Sequence, residues 1–497
     1  MSFDPRDQRI AELEQAVAER DARITAQEQT IVTLQETVAA LLARIQDLED
    51  RLNRNSGNSS TPPSANPPWA SKPGSKKSSG KKPGGQPGHR GHHRAEVTPN
   101  KVSHHWPDRC KHCHAGFADD EPEVGTPVRH QITEIPPIQP IVTEYRVHAR
   151  RCTCGRTTRA GHPDGVPTGQ FGPRITALAA LLGGRYRITR REMVALFKDG
   201  FGVAISLGTA QRLCEQASRA LEKPFEEVAK TVLAQDVVHA DETGWRHKGK
   251  RAWLWTVSNH KGAVFRLAPG RGHEARRSIL PDDYQGTVVT DRWHVYGRFR
   301  KRALCHAHLK RNWKALSERK HPDAKRLGDR GVEETQRLLV LNRQFRAGEL
   351  TEAQFRLKMK MVKARYARLL NAAEDCADPK TRTMAQQLNE VWGFLWTFAT
   401  VSGVEPTNNE AERAIRPAVL WRKGSLGTWS EAGQRFVERM LTVAATARKT
   451  GTPLLEFLLS ACEASLRHLP APRLYPDTAD QPTWSVTFAP ALAPSPP

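Results

Sequence analysis

Three acidic side chains are placed where they could do chemistry together. Asp241 follows the run Val237-Val238-His239-Ala240, Asp291 follows Gly286-Thr287-Val288-Val289-Thr290, and Glu412 stands in Thr407-Asn408-Asn409-Glu410-Ala411-Glu412-Arg413. Paired valines running into an acid predict buried strands that deliver Asp241 and Asp291 at their exposed ends, with Gly244 stopping the first strand. The third acid belongs at the start of a helix. Carboxylates converging from separate elements make an oxygen site for Mg²⁺ or Mn²⁺. Two such ions about 3.5–4 Å apart steady the attacking and leaving oxygens of a phosphoryl transfer. In that scheme Asp241 bridges both ions, Asp291 and Glu412 complete one each, and no Ser or Tyr nucleophile is needed.

Glu410 competes with Glu412 for the third place. Thr407-x-x-Glu410 has capping-box spacing, which already gives Glu410 a structural role. Glu412 lies about 200° further round the helix and can pair with Arg416 at i+4, so it is the expected ligand. Pro417 should then kink or end that helix. His308, Lys310, Arg311, Arg413, Arg416, Arg422 and Lys423 are the basic residues near the acids. They are expected to neutralise DNA phosphates; a solvated basic face, or a helix-start histidine for His308, is the plainer alternative.

The elements that must position these groups read as an α/β fold. Arg251–Ser258, Ala263–Leu267, Gly286–Asp291 and Arg302–His306 are strand-like, and a basic helix follows through Leu316. Strands followed by helices predict an RNase H-like catalytic core over residues 231–319 and 401–450, interrupted by a helical insertion at 320–400. Residues 170–230 read as short helices, with Gly183-Gly184 as an interruption and Ser206 capping a helix through Ala220. Studded with Arg185, Arg187, Arg190, Arg191 and Arg212, they fit either a helix-turn-helix-like DNA-binding module or a helical spacer packed on the core.

Further upstream, Cys110-Lys111-His112-Cys113 and Cys152-Thr153-Cys154-Gly155 flank a strand-like stretch from Ile132 to Val147. Two close cysteine pairs joined by a hairpin predict a zinc ribbon over 110–160, holding a structural Zn²⁺ on Cys110, Cys113, Cys152 and Cys154. His112 or His114 could replace a thiolate, and four unrelated free cysteines are the alternative. Residues 53–109, with ten Lys and Arg against two acids, read as a disordered basic linker. Gly74 to Lys82 fails as a phosphate-binding loop, because five residues rather than four separate Gly74 from Gly80.

Residues 8–52 carry a heptad: Ile10, Val17, Ile24, Ile31, Val38, Ile45 and Leu52 at a, with Leu13, Leu34, Leu41 and Leu48 at d. β-Branched a positions with Leu at d predict a parallel two-stranded coiled coil, hence a homodimer or larger assembly. Residues 451–497 read as a C-terminal helix and a Pro-rich tail.

Lys and Arg outnumber Asp and Glu by 76 to 53, a formal net charge of +23. That surplus points to a polyanionic partner, of which nucleic acid is the commonest. No apolar run is long enough to span a membrane, so a cytoplasmic, nucleoid-associated protein with reduced thiols is expected.

These residues resemble those of the IS66 transposases of bacterial insertion sequences. The matching pieces are Arg51-Leu52-Asn53-Arg54-Asn55-Ser56, Lys82-Pro83-Gly84-Gly85-Gln86-Pro87-Gly88-His89, the cysteine pairs, Ala240-Asp241-Glu242-Thr243, Asp291 and Cys305-His306-Ala307-His308-Leu309. Asn408-Asn409-Glu410-Ala411-Glu412-Arg413-Ala414-Ile415-Arg416-Pro417 and Arg422-Lys423 complete them. The resemblance implies a DDE enzyme of RNase H-like fold, with Asp241, Asp291 and Glu412 as its acids. Such an enzyme cuts transposon ends and joins their 3′-hydroxyls to target DNA, and helper proteins of the same element are possible partners. His306 departs from the pattern, which usually has Trp there. Three other readings compete: a nickase built on His306-Ala307-His308 with Tyr366 as nucleophile, a non-catalytic DNA-binding protein, and an inactive transposase copy.

Overall fold

The computed structural model describes residues 5–59, 66, 84–86, 88–91 and 94–475. Most of the expected linker and the Pro-rich tail lie outside the described residues. The chain divides into two compact units, residues 72–144 with 196–204, and residues 1–71, 145–195 and 205–497.

In the smaller unit an isolated bridge between Arg109 and Gly116 closes the turn that carries Cys110 and Cys113. The side chain of Gln131 accepts from the Val97 N–H and donates to its carbonyl, at 3.1 and 2.8 Å. The stretch expected to be strand-like, residues 132–147, forms no strand. Pro136, Pro137 and Pro140 cannot donate ladder hydrogen bonds, and Ile132, Ile135, Ile138 and Ile141 stand 53–91% exposed, with nothing to pay for ordering them.

The larger unit opens with α1, Pro5–Leu52. The heptad residues lie along this unbroken helix, 44–60% exposed. Its end is tied down: Asp50 pairs with Arg319 and, at 2.6 Å, with Lys380, and Glu49 pairs with Lys320. Asn58 donates to Glu318 at 2.7 Å, so the first residues of the expected linker are held. A short antiparallel hairpin, β1 (Ala149–Arg151) and β2 (Thr157–Arg159), carries Cys152 and Cys154 in its turn.

Four helices follow: α2 (Pro173–Ala180), α3 (Arg190–Phe201), α4 (Leu207–Ala220) and α5 (Glu222–Leu233). Ser206 caps α4 as expected, accepting the Thr209 N–H at 3.1 Å. The helical path runs through Gly183-Gly184 as a π-helical turn over Leu181–Arg185 and breaks just past the glycines, before α3 begins at Arg190. The glycine is needed for packing, since a Cβ at Gly184 would press into Met440.

The sheet is mixed. β3 (Val237–His247), β4 (Lys250–Ser258) and β5 (Ala263–Ala268) form an antiparallel meander, and helix α6 (His273–Arg277) leads to β6 (Thr287–Thr290) and β7 (Arg302–Leu304), both parallel to β3. The order is β5-β4-β3-β6-β7. Gly244 does not stop β3. It pairs with Trp253, and the ladder with β4 runs on to His247–Lys250 because the hairpin partner supplies the backbone bonds that a glycine still makes.

Four helices then make the insertion's layers on α7 (His306–Ser317): α8 (Pro322–Arg346), α9 (Glu352–Glu374), α10 (Pro379–Glu390) and α11 (Trp392–Leu395). Their starts are written in sequence, with Pro322 and Pro379 in the first turns and a complete Thr351–Gln354 capping box. Val289 and Leu304 of the sheet share one apolar core with Trp313, Tyr366, Leu388 and Trp396, so the insertion is packed on the sheet's β6–β7 side. The chain closes with α12 (Asn409–Ser425), α13 (Glu431–Thr450) and α14 (Leu454–Leu466). α2 packs on α4 and α14, α4 and α5 on α13, and α5 also on β5. These helices form a layer on the core.

Pro417 does not end α12, and the capping box expected at its start does not form. The helix runs through Pro417 to Ser425. The lost backbone bond is outweighed by the burial of Ala414, Ile415, Ala418 and Trp421 as α12 packs on β3 and β4. The capping box at Thr407–Glu410 is absent, because the helix starts one residue later than that spacing needs and Asn408 occupies the N-cap.

Candidate carboxylate site

Strand register brings two of the acids side by side. His239 of β3 is paired with Val289 of β6, and Asp241 and Asp291 each lie two residues beyond that pair on parallel neighbours. With a side-chain period of two, both acids emerge on the same face, across a strand spacing of about 4.8 Å. Asp241 lies within the β3–β4 hairpin, two residues past its strand's last pair with β6. Asp241 Oδ1 accepts the Glu242 N–H at 2.9 Å, and Asp291 Oδ1 accepts the Trp293 N–H at 2.8 Å.

Asn408 brings in the third acid. This residue, 1% exposed, donates through its side chain to the Ala240 carbonyl at 2.8 Å and through its backbone to Cys305 Sγ at 3.1 Å. Its side-chain oxygen lies 3.3 Å from His239 Nδ1. The start of α12 is thus fastened to the residue before Asp241 and to the β7–α7 junction, and Glu412 follows one turn later, its N–H bonded to the Asn408 carbonyl at 3.1 Å. Asn408 was legible as part of a Thr-Asn-Asn start signal, but its three partners are remote in sequence.

Burial, Glu242, Asp291 and Glu412 together push the Asp241 carboxyl well above the ordinary carboxylate range. Asp241 therefore feels the charge of both Asp291 and Glu412. Glu412 Oε1 is shut off from solvent with no hydrogen-bond partner. Its ionic neighbours are Arg311 at 3.7 Å and His308 at 3.8 Å rather than Arg416, which stands exposed further along α12. Glu410 points elsewhere. Burial alone would raise its carboxyl, but ion pairs with Lys449 and Arg413 hold it below the ordinary value.

The sequence reading overlooked Glu242. Its side chain is 2% exposed and accepts both Nε and Nη2 of Arg271 on one oxygen, at 2.8 and 2.6 Å, while Tyr296 OH donates to the other at 2.7 Å. Arg271 is itself stacked on Trp253 and Trp293, with ring centroids at 4.8 and 4.0 Å. Burial and Asp291 still raise the Glu242 carboxyl, against the pull of Tyr296 and Arg271. Nothing in the spacing of residues 242, 271, 293 and 296 announces this bracket.

The basic residues divide by position. His308 and Arg311, half-buried, face Glu412; burial and Arg311 hold the His308 imidazole below its ordinary pKa. Lys310 donates to Gln336 at 2.6 Å, and Arg413 pairs with Glu410 at 3.0 Å. Arg422 donates to the Gly244 carbonyl and to Thr243 Oγ1, passing over the Gly244 Cα where a Cβ would crowd it. Arg416 and Lys423 are exposed on α12.

His306 and Tyr366 are core groups. His306 is fully buried, its Nε2 lies 2.8 Å from the Leu395 carbonyl, and burial pushes its pKa down to about 4. Tyr366 OH accepts the Trp313 indole N–H at 2.5 Å in the same core. A nickase using these two residues has no access to a substrate.

The cysteine pairs sit in tight turns. Cys110 N–H bonds to Ala115, and His114, in a left-handed conformation at φ 60°, bonds back to the Cys110 carbonyl. Backbone N–H groups of Cys113 and His112 lower the Cys110 thiol, and that of Cys154 lowers Cys152.

Among the described residues no helix is long and apolar enough to cross a membrane. A search of curated proteins returns no match. Residues 4–95 match a family of unknown function (DUF6444). Residues 168–435, more than half of the chain and including β3, β6 and α12 with all three acids, match the Transposase IS66 family, and the chain belongs to that family.

Proposed function

We propose that this transposase is a DDE enzyme that cleaves insertion-sequence ends and joins their 3′-hydroxyls to target DNA, with Asp241, Asp291 and Glu412 as the catalytic acids. What supports this reading is convergence: Asp241 is raised by burial and Glu242, and also by Asp291 and Glu412, which arrive from the end of a neighbouring strand and from a helix. A surplus of negative charge, with a buried oxygen on Glu412 that has no hydrogen-bond partner and only Arg311 and His308 as ionic neighbours, fits divalent cations as further counter-charge. Mg²⁺ or Mn²⁺ would be held by these three carboxylates and would supply electrophilic activation of the phosphate and of the attacking oxygen. The chain's own contribution is positioning. Register aligns Asp241 with Asp291, and Asn408 fixes the helix that carries Glu412. A strand order of three antiparallel strands followed by two parallel ones supports an RNase H-like core.

DNA is the substrate on this reading, recognised through His308, Lys310, Arg311, Arg413, Arg416, Arg422 and Lys423 and the wider positive surface. The turns around Cys110, Cys113, Cys152 and Cys154 are proposed as thiolate ligands for structural Zn²⁺, whose binding the lowered Cys110 and Cys152 thiols favour. Strand cleavage of a DNA end with Mg²⁺, comparing the intact chain with Asp241→Ala, tests the mechanism. Cleavage should fall by at least about 10³-fold with DNA binding retained; equal behaviour of the two proteins would identify a DNA binder instead.

A further inference from the structure

Among the described residues, one grouping of ligand-type side chains is built from a thiol, an imidazole and a carboxylate. Cys305 precedes α7, His308 lies in its first turn, and Glu412 comes from α12; one ligand atom of each falls within 4.8 Å of the others. His308 Nδ1 and Glu412 Oε1 are 3.8 Å apart. Both are closed off from solvent and neither has a hydrogen-bond partner, although buried polar atoms are normally satisfied. A single ion bonded at about 2.1 Å to nitrogen and to oxygen can touch both.

The third donor decides which ion. Cys305 Sγ is buried, which pushes its thiol up to about 11 against the pull of nearby backbone amides, and it already receives the Asn408 N–H at 3.1 Å. Backbone N–H groups aimed at sulfur stabilise a thiolate ligand. Mg²⁺ takes oxygen ligands in octahedra and does not take thiolate, whereas Zn²⁺ and Co²⁺ accept sulfur, nitrogen and oxygen together. Arg311, 3.7 Å from Glu412 Oε1, provides the present counter-charge, and a dication would replace it there.

We propose that Cys305, His308 and Glu412 form a second metal site, selective for thiophilic divalent ions such as Zn²⁺, and that filling it withdraws Glu412 from Asp241 and Asp291 and inhibits the Mg²⁺-dependent reaction. The binding half stands on geometry alone; the inhibitory half rests on the proposed role of Glu412.

The two halves are tested separately on the full-length chain, stripped of metal and checked by circular dichroism. Co²⁺ titration, followed by d–d and thiolate-to-cobalt absorption, should give one equivalent fewer for Cys305→Ala and for His308→Ala than for the parent. The Cys110, Cys113, Cys152 and Cys154 ligands contribute equally to all three proteins and cancel. The full number of equivalents in either variant overturns the site. In the second arm, Zn²⁺ is added to Mg²⁺-supported strand cleavage, and each protein is scaled to its own rate without Zn²⁺. The parent should lose at least about tenfold, and Cys305→Ala should lose markedly less; equal losses overturn the inhibition. Absence of Mg²⁺-dependent cleavage in the parent refutes the catalytic reading and, with it, the inhibitory half, while the cobalt count still decides the site.

Discussion

Asp241 carries the clearest consequence at the scale of single residues. Burial and the charges of Glu242, Asp291 and Glu412 raise its carboxyl, so the folded chain holds that proton more tightly than the unfolded chain does. A raised carboxyl contributes stability that is complete below the unfolded value, about 4, and is lost as pH climbs through the folded value. Metal-free protein should therefore melt at lower temperature as pH rises through that window, and added Mg²⁺ should restore more at the alkaline end. Asp241→Asn should flatten both trends in differential scanning fluorimetry; slopes identical to the parent's would remove this account. Arg271 makes a second case. Its removal leaves Glu242 buried with only Tyr296, a loss of about 3 kcal/mol on the scale of broken buried ion pairs. Arg271→Ala should lower the denaturant midpoint accordingly, and a shift below about 0.5 kcal/mol would show that the bracket is relaxed in solution.

Elements add what no residue has alone. β5 is an edge strand, and its outward N–H groups would be open to another chain were they not covered by α13. The N–H groups of Ala263, Phe265 and Leu267 donate to Thr446, Thr442 and Glu438, at 3.3, 3.1 and 2.7 Å. Four residues of helix rise about 6 Å and two of strand about 6.6 Å, so side chains four apart on α13 meet alternate amides of β5. Thr442→Val keeps the shape but leaves the Phe265 amide unpaired, at a cost of about 1–3 kcal/mol. Equilibrium unfolding measures it, with Thr442→Ser expected to recover most of the loss; a valine variant as stable as the parent would mean that the strand edge does not need the bond.

Across the whole molecule, α1 lays out a heptad seam 44–60% exposed along 48 residues, while its last turn is held by Asp50 to Arg319 and Lys380. We expect a second copy to cover that seam, so a chain lacking residues 1–52 should form a smaller oligomer in analytical ultracentrifugation, and an unchanged number of chains per particle would exclude pairing through α1. The long N-terminal helix, the helix cap at Ser206 and the strands at the paired valines could be read in the sequence, because each depends on neighbours a few residues away. Where local cues misled, at Gly244, Thr407–Glu410 and Ile132–Val147, the outcome turned on a partner elsewhere in the chain or on the want of one. The sequence by itself determined that Asp241 and Asp291 follow runs of paired valines and that Glu412 lies in the first turn of a helix, but not that β3 continues six residues past Asp241. Only the tertiary structure decided that β6 lies beside β3 in the register that aligns the first two, and that Asn408 anchors the third. It alone disclosed Glu242 and Cys305 at their side, since contacts between residues 242 and 271, or 305 and 412, are made by chain crossings that local spacing does not encode.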